Sequence, residues 1–149
     1  MKELSLREVM EMYSGGKEVS QIGNPVIDML TLGLNKDLEF LEYKVRPKEC
    51  FKNCVFMCRF LESRGFKCRY CEGFVTYDKK FPIEHAFIMV KIRDAEWGIL
   101  DPTFEIALKQ GLSELRKEDY YLIKDFSSEE LTEIMLKEKR YGPFYNLKR

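Results

Sequence analysis

A chain of 149 residues with 45% apolar and 13% aromatic side chains can bury a core and is not a disordered tail. Its 25 basic and 25 acidic residues cancel, so no global field is expected to hold nucleic acid or an anionic membrane. Absence of any apolar run near the ~18 residues of a spanning helix excludes a helical membrane span. Charge precedes any hydrophobic stretch in Met1–Glu8, which argues against a secretory signal and for the cytosol. The five cysteines are then expected to stay largely reduced. Lysine and glutamate outnumber the other charged residues, a composition that leans towards a hot-living source.

Ser5-Leu6-Arg7-Glu8 has capping-box spacing, and Leu6, Val9, Met10 and Tyr13 follow at helical intervals until Gly15-Gly16. Asn24-Pro25 places a cap residue before proline and predicts a second helix through Val26, Ile27, Met29 and Leu30 to about Gly33. From Leu34 to Val45 the pattern is mixed and favours neither element. After Pro47, Cys50, Cys54, Met57, Cys58 and Leu61 fall on one helical stripe, which Phe51, Val55 and Phe60 widen almost to a full circle. Such a helix belongs in the centre of the domain, and Gly65 follows in the position of a left-handed cap.

Phe66 to Tyr70 then alternates as a strand, with Gly73 a bulge before Phe74–Tyr77. Asp78 to Pro82 reads as a turn, Glu84 to Lys91 as a second strand, and Glu96 to Asp101 as a third that Pro102 closes. Tyr120 to Phe126 reads as a further strand. Ser127-Ser128-Glu129-Glu130 is another capping box, opening a helix that stops before Gly142-Pro143. Tyr141 to Arg149 reads as a loose basic arm. The fold class is α+β, with a buried central helix on a mostly antiparallel sheet. Residues 1–149 form one domain: N-terminal helices over 1–46, a core over 47–104, and a strand and helix over 105–149.

The single histidine, His85, limits the chemistry. A cysteine nucleophile needs a base, and the base needs a third group to hold its ring. Cys50 lies in the first turn of the buried helix, where unpaired N–H groups and the positive helix end favour a thiolate. Cys54 and Cys58 lie one and two turns deeper and read as packing. A hairpin turning about Arg93 would set His85 opposite Asp101 on the same face, the placement a carboxylate needs to orient an imidazole. Asp101 before Pro102 also fits a simple strand-ending turn. Asn53 and Glu72 are candidates for support, Asn53 as an oxyanion donor or a helix cap and Glu72 as a hydrogen-bonded acid at the bulge. Phe87, Trp97 and Phe104 read as core or pocket wall.

Four blocks in order, Cys50-Phe51-Lys52-Asn53, Cys71-Glu72-Gly73-Phe74, Pro82-Ile83-Glu84-His85-Ala86-Phe87 and Leu100-Asp101-Pro102-Thr103-Phe104, resemble those of a transglutaminase-like group of small microbial and viral proteins. The resemblance spans Pro47 to Phe104. It implies a papain-like fold with Cys50 as nucleophile, His85 as general base and acid, and Asp101 as the orienting carboxylate. It also implies thioester chemistry on a peptide, protein or small amide substrate, with no cofactor and no nucleic-acid or membrane partner. Two alternatives stand beside it. Cys54, Cys58, Cys68 and Cys71 could ligate zinc or an iron–sulfur cluster, although Cys68 and Cys71 point to opposite faces of a regular strand. The same fold could also serve as a non-catalytic binding module.

Overall fold

A computed structural model describes residues 17–19, 24–77, 80–109 and 118–147; the helix expected over Leu6–Tyr13 lies outside them. Six strands form one sheet among the described residues: β1 (Lys17–Glu18), β2 (Val26–Ile27), β3 (Cys68–Tyr77), β4 (Lys80–Arg93), β5 (Glu96–Leu100) and β6 (Glu118–Phe126). Their order is β1-β6-β3-β4-β5-β2, antiparallel throughout except where β2 runs parallel to β5. Among the described residues three α-helices accompany the sheet: α1 (Leu38–Lys44), α2 (Cys50–Ser63) and α3 (Ser128–Glu138). The architecture is α+β.

Strand periodicity sorts the core. Tyr70, Ala86, Ile88, Val90 and Leu100 cluster with Cys54, Met57, Cys58 and Leu61 of α2. Residues of opposite parity, Cys71, Val75, Phe87 and Ile99, gather in a second cluster, which Tyr120 joins beyond the register shift in β6. Cys54, Met57 and Leu61 have no solvent exposure, and burying side chains of the Met or Leu class stabilises by about 1.5–3 kcal/mol each. The helix stops as its sequence predicts. Gly65 adopts φ +90, its N–H donates to Glu62 O, and the Phe66 N–H reaches back to Leu61 O, the paired bonds of a Schellman motif. The second predicted capping box also forms, between Ser127 and Glu130 at the start of α3.

Three expectations need correction, and one open stretch is settled. Val26 and Ile27 are a strand, not a helix, because their backbone completes the edge of β5: Val26 pairs with Ile99, Ile27 with Leu100, and Ile99 N–H donates to Pro25 O. Those two side chains join different core clusters, as a period of two requires. Asn35–Asp37 and α1 occupy the stretch that showed no clear pattern. Pro82 lies inside β4 rather than in a turn, beside a register shift between Val75 and Tyr77 of β3, where a ladder tolerates the missing donor. The tail is no loose arm up to residue 147. Phe144 is buried against Phe126, and the N–H groups of Phe144 and Tyr145 donate to Glu72 Oε1 at 2.6 and 2.7 Å.

Glu72 itself has no exposure, and Tyr70 donates its hydroxyl to Oε2 at 2.5 Å. Burial pushes its carboxyl above the usual range, against the pull of these donors. The bulge expected at Gly73 is present as a register shift between Glu72 and Gly73 on the β6 side. There β6 passes so close that a Cβ on Gly73 would lie 1.9 Å from Tyr121 O, a backbone atom.

Gly73→Ala is therefore expected to cost about 3 kcal/mol or more, because one strand must move. Gly33→Ala is expected to cost only about 1 kcal/mol, since the left-handed φ of +70 is strained but the space is open. Urea unfolding of the two variants measures the difference.

Candidate active site

Cys50 is the first residue of α2 and is half-buried. Glu49 precedes it as the helix cap without a side-chain capping bond. His85 lies on β4 opposite Gly73 of β3, and Asp101 follows directly on β5. The hairpin register differs from expectation. A turn about Arg93 would pair Ile88 with Gly98, whereas Ile88 pairs with Leu100 and the chain turns at Asp94-Ala95. The slip is two residues. An even slip keeps every side chain on its face, so Asp101 still meets His85, now diagonally across the two strands.

His85 Nε2 and Asp101 Oδ2 are 2.7 Å apart, with the residues 5% and 1% exposed. Phe104 stacks on the imidazole with centroids 5.1 Å apart and planes inclined by 27°. The Cys50 side chain lies close enough to the same ring to help raise its pKa. Burial by itself would lower the pKa of His85. The Asp101 charge and hydrogen bond, then the Cys50 hydrogen bond and charge, outweigh burial and raise it from 6.5 to about 10. Asp101 moves the other way: burial would raise its pKa, but His85, the Tyr120 hydroxyl and the Phe104 N–H hold it below the usual carboxylate range.

The other cysteines occupy a different environment. Burial, followed by the Asp101 and Cys50 charges, pushes the Cys54 thiol well up. Cys58 is raised by burial and by nearby Cys68 and Cys71. Burial and Glu62 raise Cys68 to about 12, and Cys71 is also raised chiefly by burial. All five cysteines are free thiols. Among the described residues no group of three or more His, Cys, Asp or Glu side chains gathers as a metal site.

Asn53 and Glu72 both serve as anchors. Asn53 donates from Nδ2 to Arg46 O at 2.7 Å and to Thr103 Oγ1 at 2.9 Å, while its Oδ1 accepts from Arg46 N–H. Both amide protons are thus taken, and the side chain ties the loop before Cys50 to the turn after Asp101. Glu72 holds the C-terminal segment as described above. Two contributors escaped the sequence reading. Tyr120 donates to Asp101 Oδ2 at 2.6 Å, and Thr103 receives Asn53. Thr103 sits in the block beside Asp101 and could have been tested for a partner. Tyr120 lies on β6, separated from β4 by β3, and no local pattern ties it to the acid. An open groove of about 770 Å³ lies elsewhere, between β6, α3 and the C-terminal segment, and none of Cys50, His85 and Asp101 lines it.

Comparison with protein-family models, with curated proteins and with solved structures finds no match to this chain. Among the described residues no helix is long and apolar enough to cross a membrane.

The only histidine gives an unambiguous NMR signal, expected to titrate near 10. Asp101→Asn should bring that midpoint down towards or below 6.5, because burial is then less opposed. A midpoint that stays near 10 would contradict the pairing. The sign for stability follows. A raised folded-state pKa stabilises fully below 6.5, and the contribution fades as pH rises through about 10. Denaturant unfolding of wild type and His85→Gln should show the gap closing across that window.

Proposed function

We propose that the protein is a cysteine-dependent hydrolase or acyltransferase acting on amides or esters of the peptide, protein or small-amide class. The arrangement is read as papain-like and transglutaminase-like, with a nucleophile at the start of a buried helix and its base and acid on an antiparallel sheet. One observation carries this reading: the sole imidazole pairs with a buried carboxylate at 2.7 Å, and the half-buried thiol at the start of α2 acts on the same ring.

Proton transfer from Cys50 to His85 gives a thiolate beside an imidazolium, which Asp101 stabilises. The sulfur attacks the carbonyl carbon. As the tetrahedral adduct collapses, the carbon–nitrogen or carbon–oxygen bond breaks and His85 gives its proton to the leaving group. The product is an acyl thioester on Cys50. Water or an amine then attacks the thioester carbon, His85 takes the proton from that nucleophile, the carbon–sulfur bond breaks, and the thiol is restored. Phe104 against the ring and Asn53 across the two loops keep the partners in place. Nothing in these steps requires a cofactor.

Limiting iodoacetamide at neutral pH is expected to label Cys50 at least about tenfold faster than Cys54, Cys58, Cys68 and Cys71, whose thiols are raised by burial. His85→Asn should slow that labelling by about tenfold or more. p-Nitrophenyl acetate should leave one acetyl group on Cys50, located by peptide mass mapping. Equal labelling of all cysteines, or acetyl groups only on lysines, defeats the proposal.

A further inference from the structure

Among the described residues the Asp101 carboxylate has three hydrogen-bond donors, and they come from three parts of the chain. His85 on β4 and Tyr120 on β6 share Oδ2 at 2.7 and 2.6 Å, and the Phe104 N–H takes Oδ1 at 3.2 Å. Two donors on one oxygen and a third on the other fix a single orientation for the carboxylate plane. The Tyr120 ring packs edge-on against Phe87 with centroids 5.1 Å apart and has no exposure. A phenylalanine ring would fill that space equally well, so packing does not account for the hydroxyl. The hydroxyl is buried and aimed at the acid.

We propose that Tyr120 is a positioning residue of the site: its hydroxyl keeps Asp101 charged with Oδ2 aimed at His85, and through His85 it sets the reactivity of Cys50. The inference rests on the functional reading above. A donor to an ionised carboxylate favours the charged form, so removing it makes Asp101 easier to protonate. Facing Asp101 are His85 from β4, Tyr120 from β6 and the Cys54 thiol from α2, with Cys50 reaching it through the His85 ring. Cys54 is held as the neutral thiol by burial, which leaves Asp101 and His85 as the groups that set the acid side of the pH profile.

The test is the pH dependence of Cys50 alkylation in wild type and Tyr120→Phe. The acid limb should move up by about one to two pH units, the effect of losing a hydrogen bond to a charged group. In an Asp101→Asn background the same substitution should change the rate less than about twofold, since Tyr120 would then have no charge to hold. A folded Tyr120→Phe protein with the wild-type limb overturns the proposal, as does an undiminished effect in the Asp101→Asn background. Should Tyr120→Phe fail to fold, the unaltered protein supplies the second measurement. Its Tyr120 hydroxyl proton should give an exchange-protected NMR resonance with a cross-peak to the His85 ring, lost as Asp101 is protonated. Absence of that resonance at neutral pH overturns the proposal. If wild-type Cys50 shows no preferential labelling, the functional reading itself fails; if it does, and Tyr120→Phe changes nothing, only the role of Tyr120 fails.

Discussion

A negative charge with almost no access to water sits just past the end of β5, within reach of side chains from β4 and β6: Asp101 is 1% exposed. Such a group is costly unless its partners replace the lost hydration. Here the replacement is an imidazole, a phenol and a main-chain N–H. That requirement organises the region. It draws His85 from the middle of β4, Tyr120 from a strand nearly twenty residues later in sequence, and the turn that begins at Thr103. Remove the charge and the ladders still hold the strands, but the three donors lose their common acceptor. The thiol at the start of α2 shares in the arrangement, because the ring whose pKa it helps raise is the one the carboxylate holds.

The elements with strong local signals were legible in the sequence. A nearly all-apolar stripe from Cys50 to Leu61 marked the central helix, Gly65 marked its end, and the Ser127–Glu130 box marked the start of α3. The bulge at Gly73 was legible too, since a glycine inside an alternating run leaves few other uses. What failed depended on distant partners. Val26-Ile27 has a helix-start signature on its left, yet the free edge of β5 decides its conformation. Phe144 and Tyr145 look like part of a polar tail until Glu72 is seen waiting for their N–H groups. The His85–Asp101 contact survived a wrong register only because the error was even. Tyr120 could not be found without the strand order.

The molecule buries a second carboxylate and solves its problem differently. Glu72 has no charged partner among its close donors. A phenol and two main-chain N–H groups serve it, and its carboxyl is pushed up rather than down. The two acids therefore divide the labour by environment. Asp101 faces a cation-forming ring and belongs to the reacting constellation of the proposed function. Glu72 faces peptide dipoles and fastens the end of the described chain to the sheet, next to Gly142, where even a methyl group would collide with it at 2.2 Å.

Asn53 carries a mechanical corollary. Its amide spans the loop that delivers the sulfur and the turn that follows the acid, bonding to Arg46 and Thr103. The gap between the loop before Cys50 and the turn after Asp101 is thus gauged by a spacer, fifty residues of chain bridged by one planar group. For the proposed chemistry, a stiff gauge of this kind means that charge can migrate across the imidazole without the surrounding dipoles having to rearrange, and that part of the free energy of bringing these groups together was spent when the chain folded.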